Sequence, residues 1–198
     1  NRAEIAGARL VANPGCYPTC SILALAPAIR EELVDLDIII DSKSGVSGAG
    51  RSLKLNTHFA EANENVSAYA LGGHRHMPEI RQELQVLAGG QSVSLTFVPH
   101  LIPMTRGMLS SCYARLRKRV TLGEVRELYR EFYRDEPFVR VVDTAPQTKQ
   151  TLGSNFCLIH PVIDPRTERL IVISCIDNLV KGGAGQAIQN MNLMLGLP

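Results

Sequence analysis

The stretch MPEIRQELQVLAGGQSVSLTFVPHLIPMTRGMLSSCYARLRKRV, residues 77–120, holds a helix and two strands in succession, and its reading decides the fold class. Ile80, Leu84 and Leu87 recur at helical spacing behind Pro78, and Gly89 or Gly90 ends the run. SVSLTFVP (92–99) alternates apolar and polar residues with period two, as a strand does. MLSSCYARLRKRV (108–120) repeats the pattern after a short connection and can pair with it. Working outward, 19–33 reads as a helix with Pro18 near its first position and a kink or break expected at Pro27. LDIIID (36–41) reads as a short buried strand. Thr121 and Glu124 form a capping box ahead of Leu122, Val125, Leu128 and Phe132 on one helix face, with Arg126, Arg130 and Arg134 directed to solvent. Short strands near 139–142, 157–161 and 169–175 follow, and a last helix spans 182–195. Strands flanking helices without strict alternation predict one α+β domain over 1–198, with a mixed, largely antiparallel sheet and helices on one face.

Composition narrows the function classes. The chain has 198 residues, 45% hydrophobic and 20% charged, with a net charge of +2, too small to argue for nucleic acid or an anionic membrane. RLRKR (115–119) lies in strand-like sequence and reads as a solvated strand face. Five cysteines, odd in number and without a C-x-x-C pair, point to a reducing compartment rather than a disulfide framework or zinc knuckle. No signal-like segment opens the chain and no apolar run approaches the roughly 18 residues of a spanning helix, so a cytoplasmic protein is expected. The start at Asn1, with strand-like ARLVAN (8–13) leading at once into a cysteine motif, reads as a piece of a longer polypeptide.

NPGCYPT (13–19) carries the first chemical signal. Pro14 and Gly15 turn the chain into Cys16, and Pro18 opens a helix. The thiol therefore sits at a helix N-terminus, where free N–H groups favour a thiolate, lower its pKa from about 8.5 and can steady an oxyanion. A packing cysteine in a tight turn is the plain alternative. Cys20, one turn on, reads as core. GGHRHMPEI (72–80) places His74 and His76 two residues apart, on one side of an extended backbone, with Glu79 in the following first turn. This is a proton-shuttle arrangement; a metal pair lacks a third ligand at a persuasive spacing, and a structural pair remains possible. SGVSGAGR (44–51) is neither a dinucleotide fingerprint nor a nucleophile elbow, but a glycine-rich loop able to meet a phosphate or cofactor edge, or simply a turn. Arg106, beside Gly107 at a strand entrance, suits a carboxylate or phosphate.

Taken together, NPGCYPT, KSGVSGAGR, GGHRHMPEI, PHLIPMTRGM and DNLVKGGAGQAIQNMNLMLG make the chain resemble the N-acetyl-γ-glutamyl-phosphate reductase family over essentially its whole length. The resemblance implies the catalytic and dimerisation domain of that family, similar in fold to the C-terminal domain of glyceraldehyde-3-phosphate dehydrogenase. It implies NADPH-dependent reduction of N-acetylglutamyl 5-phosphate to the 5-semialdehyde, with release of phosphate, in arginine biosynthesis. Cys16 would form the thioester, His76 would act as acid/base with Glu79 in support, and His74 and Arg106 would bind substrate. Ser47 and Gly48 would border the cofactor, Asn178 would hold the nicotinamide amide, and no metal is implied. NADP(H) would be held mainly by an N-terminal Rossmann domain that this sequence lacks, so the fragment alone should turn over little. The helix from 182 to 198, with Ala184, Ala187, Ile188, Met191 and Leu195 on its apolar face, would pack toward that domain, and the assembly would be a homodimer or homotetramer. Rival readings are the related aminoadipyl-phosphate reductase of lysine synthesis, a cysteine–histidine acyl transferase or hydrolase, and a non-catalytic dimerisation fragment.

Overall fold

A computed structural model of the chain describes residues 1–197. Its elements are α1 (Arg2–Ala6), α2 (Cys16–Arg30), β1 (Val34–Gly45), α3 (Phe59–Ala62), β2 (Ser67–Ala68), α4 (Met77–Leu87), β3 (Ser94–Ile102), β4 (Met108–Leu116), α5 (Leu122–Phe132), β5 (Val139–Val141), β6 (Cys157–Asp164), β7 (Arg169–Ile176) and α6 (Gly185–Leu195). A π-helical turn, Val180–Ala184, leads into α6. The strands form one sheet in the order β2-β3-β1-β4-β7-β6-β5. β1/β3 and β5/β6 are parallel and the other four pairings antiparallel, so the sheet is mixed and largely antiparallel.

The hairpin expected between residues 92–99 and 108–120 does not form. β1 lies between the two strands, parallel to β3 and antiparallel to β4. LDIIID proves to be the middle of a twelve-residue strand. Ile38 and Ile40 are fully buried on one face, and burying them needs a strand on either side. The RLRKR run is likewise split: Arg115 and Leu116 end β4, and Arg117 lies past the strand, 3.6 Å from Asp35.

Helix α2 lies on the sheet face made by Ile38, Ile40, Cys112, Ala114, Leu170, Val172 and Ile159, and α4 and α5 pack on the same side. Pro27 does not interrupt α2, which runs on to Arg30. The missing N–H leaves the Leu23 carbonyl without its helical donor, and the Tyr133 hydroxyl supplies one at 2.6 Å. Tyr129 similarly donates to the Ala24 carbonyl at 2.8 Å. Both tyrosines come from α5, whose capping box is complete: the Glu124 amide donates to Thr121 Oγ1 at 3.2 Å and the Thr121 amide to Glu124 Oε2 at 2.7 Å. The opposite sheet face carries Ile39, Tyr113, Ile171 and Val162 in one cross-strand row, none of them buried.

Candidate active site

The site forms around the N-terminus of α2, against which the turn before α4 and the π-helical turn both pack. Gly15 is the N-cap and Cys16 the first helical residue, two positions earlier than Pro18 implied. With Pro18 lacking an N–H, and the Thr19 amide donating to the Gly15 carbonyl at 3.0 Å, the open amides of this turn are those of Cys16 and Tyr17. Both draw the Cys16 thiol pKa down, as does Arg75, but burial outweighs them and pushes it up to about 11. The expectation of a lowered pKa at this helix start is therefore not met, because desolvation of the charged form exceeds the stabilisation from two amides. Cys16 rests as a thiol.

Two glycines let the neighbouring chain close on this residue. A Cβ on Gly182 would stand 2.6 Å from Cys16 Cβ, so the π-helical turn presses bare backbone against the cysteine. A Cβ on Gly15 would lie 2.7 Å from His76 Cε1 and 2.8 Å from Cδ2, with Nε2 nearer still. The His76 ring thus packs edge-on against the residue preceding the thiol. His76 caps α4, and the backbone at Arg75 and His76 is a turn rather than the expected extended run. Both imidazoles still share one side: their ring centroids are 4.9 Å apart, and Tyr17 lies 5.4 Å from His74 and 6.0 Å from His76. The His76 amide donates to His74 Nδ1 at 3.1 Å, which leaves the His74 proton on Nε2. Burial, with His74 and Arg75 adding to it, lowers His76 to about 4, so it is neutral near pH 7; burial and Arg75 lower His74 too. Glu79 meets the Gly15 amide at 3.0 Å rather than an imidazole nitrogen, so it braces the turn that carries Cys16.

The residues expected to border a cofactor form a clamp. Gly45, Val46 and Ser47 donate their amides to the carbonyls of Gly107, Met104 and Thr105, so these three N–H groups are not free for a phosphate. Asn178, 3% exposed, accepts from the Gly107 amide at 2.7 Å and donates to Ser47 Oγ at 3.0 Å, tying the two loops together. A Cβ on Gly48 would come within 2.8 Å of Ser44 Oγ and 3.4 Å of Asn178 Nδ2. The preceding residue, Asp177, is fully buried. It accepts from the amides of Gly153, Leu179 and Val180 and pairs with Arg106 at 2.8 Å. Burial pushes its carboxyl up, but those three amides and Arg106 more than offset this and hold it below the usual value.

The structure therefore brings Cys16, His74, His76 and Glu79 into one cluster, and Ser47, Gly48 and Asn178 into another. Gly182, beside Cys16 and four residues past Asn178, links the two. Arg106 belongs to the second cluster through Asp177. Sequence reasoning missed Tyr17 and Tyr69, whose hydroxyls join at 3.0 Å behind the imidazoles, as well as Asp177 and Gly182. Tyr17 lies inside NPGCYPT and Asp177 directly precedes Asn178, so adjacency to the motifs was the available signal.

Comparison with known proteins gives the family. Residues 16–178 match the family model described as semialdehyde dehydrogenase, dimerisation domain. A protein of Dehalococcoides mccartyi named N-acetyl-gamma-glutamyl-phosphate reductase is 60% identical over 196 residues, covering 99% of this chain and 58% of its own length. One of the same name from Pelotomaculum thermopropionicum is 57% identical over 201 residues, again covering 58% of its own length. The chain thus spans somewhat over half the length of these curated relatives. Among solved structures, aspartate semialdehyde dehydrogenase II from Vibrio cholerae superimposes with a TM-score of 0.75 at 18% identity, over 98% of this chain and 65% of that one. A probable aspartate-semialdehyde dehydrogenase from Pseudomonas aeruginosa gives 0.76 at 18% identity, over 98% of this chain and 66% of that one. Those two show the shared fold. With the family model matching residues 16–178, well over half of its length, the chain belongs to the semialdehyde dehydrogenase dimerisation-domain family.

Proposed function

We propose that this chain is the catalytic and dimerisation part of an N-acetyl-γ-glutamyl-phosphate reductase, reducing an acyl phosphate to an aldehyde by way of a cysteine thioester. The observation that carries the reading is the seat of Cys16, with two open amides on one side, an imidazole pair on another and the bare backbone of Gly182 on a third. The thiol gives its proton to an imidazole, neutral His76 being the acceptor packed closest to this turn. Sulfur forms a bond to the acyl carbon as the carbon–oxygen bond to phosphate breaks, and phosphate leaves with that electron pair. The Cys16 and Tyr17 amides steady the oxyanion on the way. His74, holding its proton on Nε2, donates to the carbonyl oxygen of the acyl group.

The loop of Ser47 and Gly48 with Asn178 would border the nicotinamide end of NADPH. The small side chains leave room, and Asn178 keeps one amide hydrogen and one lone pair beyond its two bonds within the chain. When bound, that group supplies the hydride that reduces the thioester carbon. Arg106 keeps part of its guanidinium beyond the Asp177 pair for the carboxylate of the substrate. Two copies of the chain would pair through the uncovered sheet face bearing Ile39, Tyr113 and Ile171, making a homo-oligomer. The five free thiols suit the cytoplasm.

The test runs the reaction backward on the intact protein that contains this chain. N-acetylglutamate 5-semialdehyde, inorganic phosphate and NADP are expected to give NADPH, and Cys16→Ser to abolish it. Preference for the homologue longer by one methylene would move the protein to lysine synthesis. Acyl transfer without nucleotide would overturn the reductase reading.

A further inference from the structure

We propose that Arg75 is the phosphoryl-binding residue of this site, holding the leaving phosphate of an acyl phosphate over Cys16, while Arg106, paired with Asp177, is left to the substrate carboxylate. The proposal rests on the acyl-phosphate reading above and adds the group that recognises its anion. Arg75 stands between His74 and His76 in the turn that enters α4, and its side chain is exposed while both imidazoles fold inward onto Tyr17. No carboxylate among the described residues pairs with it. The other arginine of the site, Arg106, is by contrast paired with Asp177. Glu79, the acidic residue of this cluster, is turned to the Gly15 amide and does not neutralise the guanidinium.

The Arg75 charge reaches four groups around the cleft at once. It favours the ionised forms of Cys16 and Tyr69 and opposes protonation of His74 and His76. An unpaired cation in the turn that joins the two imidazoles, acting on nucleophile and proton carriers together, is the group of this cluster that can meet phosphoryl oxygens when the acyl carbon sits on sulfur. A guanidinium also offers the planar donor fork that a phosphoryl group accepts bidentately. The chemistry needs such a group. A dianion approaching a cysteine about to become a thiolate meets repulsion, and two backbone amides already have the oxyanion to serve.

Three measurements on the intact protein compare the parent with Arg75→Gln and Arg75→Lys; the side chain is exposed, so folding should be unaffected. First, the rate ratio of Cys16 alkylation by anionic iodoacetate to that by neutral iodoacetamide cancels the thiolate fraction and reads the local field. It is expected to fall about five- to tenfold in Arg75→Gln and to be kept in Arg75→Lys. Second, inorganic phosphate is expected to slow iodoacetamide alkylation in the parent and not in Arg75→Gln. Third, in the reverse reaction the KM for phosphate should rise tenfold or more in Arg75→Gln, with the KM for aldehyde unchanged. Equal phosphate protection in parent and Arg75→Gln would overturn the proposal, as would a raised aldehyde KM with normal phosphate KM, which would make Arg75 a carboxylate site. The alkylation readouts need no turnover, so they decide on Arg75 even if the reductase reading itself fails.

Discussion

Replacing Gly15 by alanine tests whether the contact between the N-cap of α2 and His76 is as tight as the geometry requires. Gly15 has φ −70 and ψ 162, a conformation any residue adopts, so backbone strain contributes nothing to the outcome. As an N-cap, alanine in place of glycine costs about 0.5–1 kcal/mol. The larger effect is steric. The new methyl group would stand 2.7 Å from His76 Cε1, about 1 Å inside ordinary contact, and the ring must retreat. Behind it are His74 at 4.9 Å and Tyr17 at 6.0 Å between centroids, so the ring has little room to yield. Overpacking of this kind costs about 1–3 kcal/mol, and a catalytic imidazole displaced by about 1 Å costs about a hundredfold in rate. The assay is a double-mutant cycle by urea denaturation, with Gly15→Ala made in the parent and in His76→Ala. The substitution is expected to destabilise the parent by about 2 kcal/mol more than the His76→Ala protein, a coupling well above the roughly 0.5 kcal/mol expected of independent sites. Equal losses in the two backgrounds would refute the claim that His76 is what Gly15 makes room for.

Three further outcomes follow from the buried polar groups. Asp177→Asn removes the charge that pairs with Arg106 and weakens three amide contacts, and is expected to cost about 3–5 kcal/mol by chemical denaturation. Tyr133→Phe strips the donor from the carbonyl that Pro27 leaves free and should cost about 1–3 kcal/mol; adding Pro27→Ala, which restores the helical N–H, should recover most of it. Stability against pH should fall at both ends. His76 is lowered from 6.5 to about 4, so its contribution is full above pH 6.5 and is lost as pH falls toward 4. Cys16 is raised from 9.0 to about 11, so its contribution is full below pH 9 and is lost as pH rises through 11. Urea midpoints across pH should show the acid limb flattened by His76→Gln and the alkaline limb by Cys16→Ser.

Local signals in the sequence suffice where the local chain alone decides the outcome. The capping box at Thr121 and Glu124 forms as written, because both partners lie within four residues. The class of sheet was legible for the same reason: short alternating runs and helices without strict alternation leave few architectures. Strand order was not. Residues 92–99 and 108–120 are separated by a short connection, and nearness in sequence makes neighbours the default. The residues that insert β1 between them are Ile38 and Ile40, whose need for cover on both sides is a property of the whole sheet. Pro27 shows the same limit from the other direction. A proline in a helix is a break unless some distant group repairs the freed carbonyl, and Tyr133, 110 residues away in sequence, does so.

The site follows that division, and its least legible property bears most on its chemistry. NPGCYPT announces a cysteine at a helix start, and the rule for such positions gives a lowered pKa. That rule assumes an open end. Here Gly182 closes on Cys16 Cβ from a turn 166 residues away, His76 covers Gly15, and the desolvation they impose outweighs the amides. The resting pair is then an uncharged thiol beside uncharged imidazoles. For an acyl phosphate this is the favourable resting state. A standing thiolate would repel a substrate carrying several negative charges, whereas a thiol lets it approach and passes its proton to a neutral imidazole as the sulfur–carbon bond forms. The resting thiol is also a poor target for oxidation. On the proposed reaction, the burial that counts against Cys16 as a free nucleophile favours it as one that ionises when an acyl phosphate is in place.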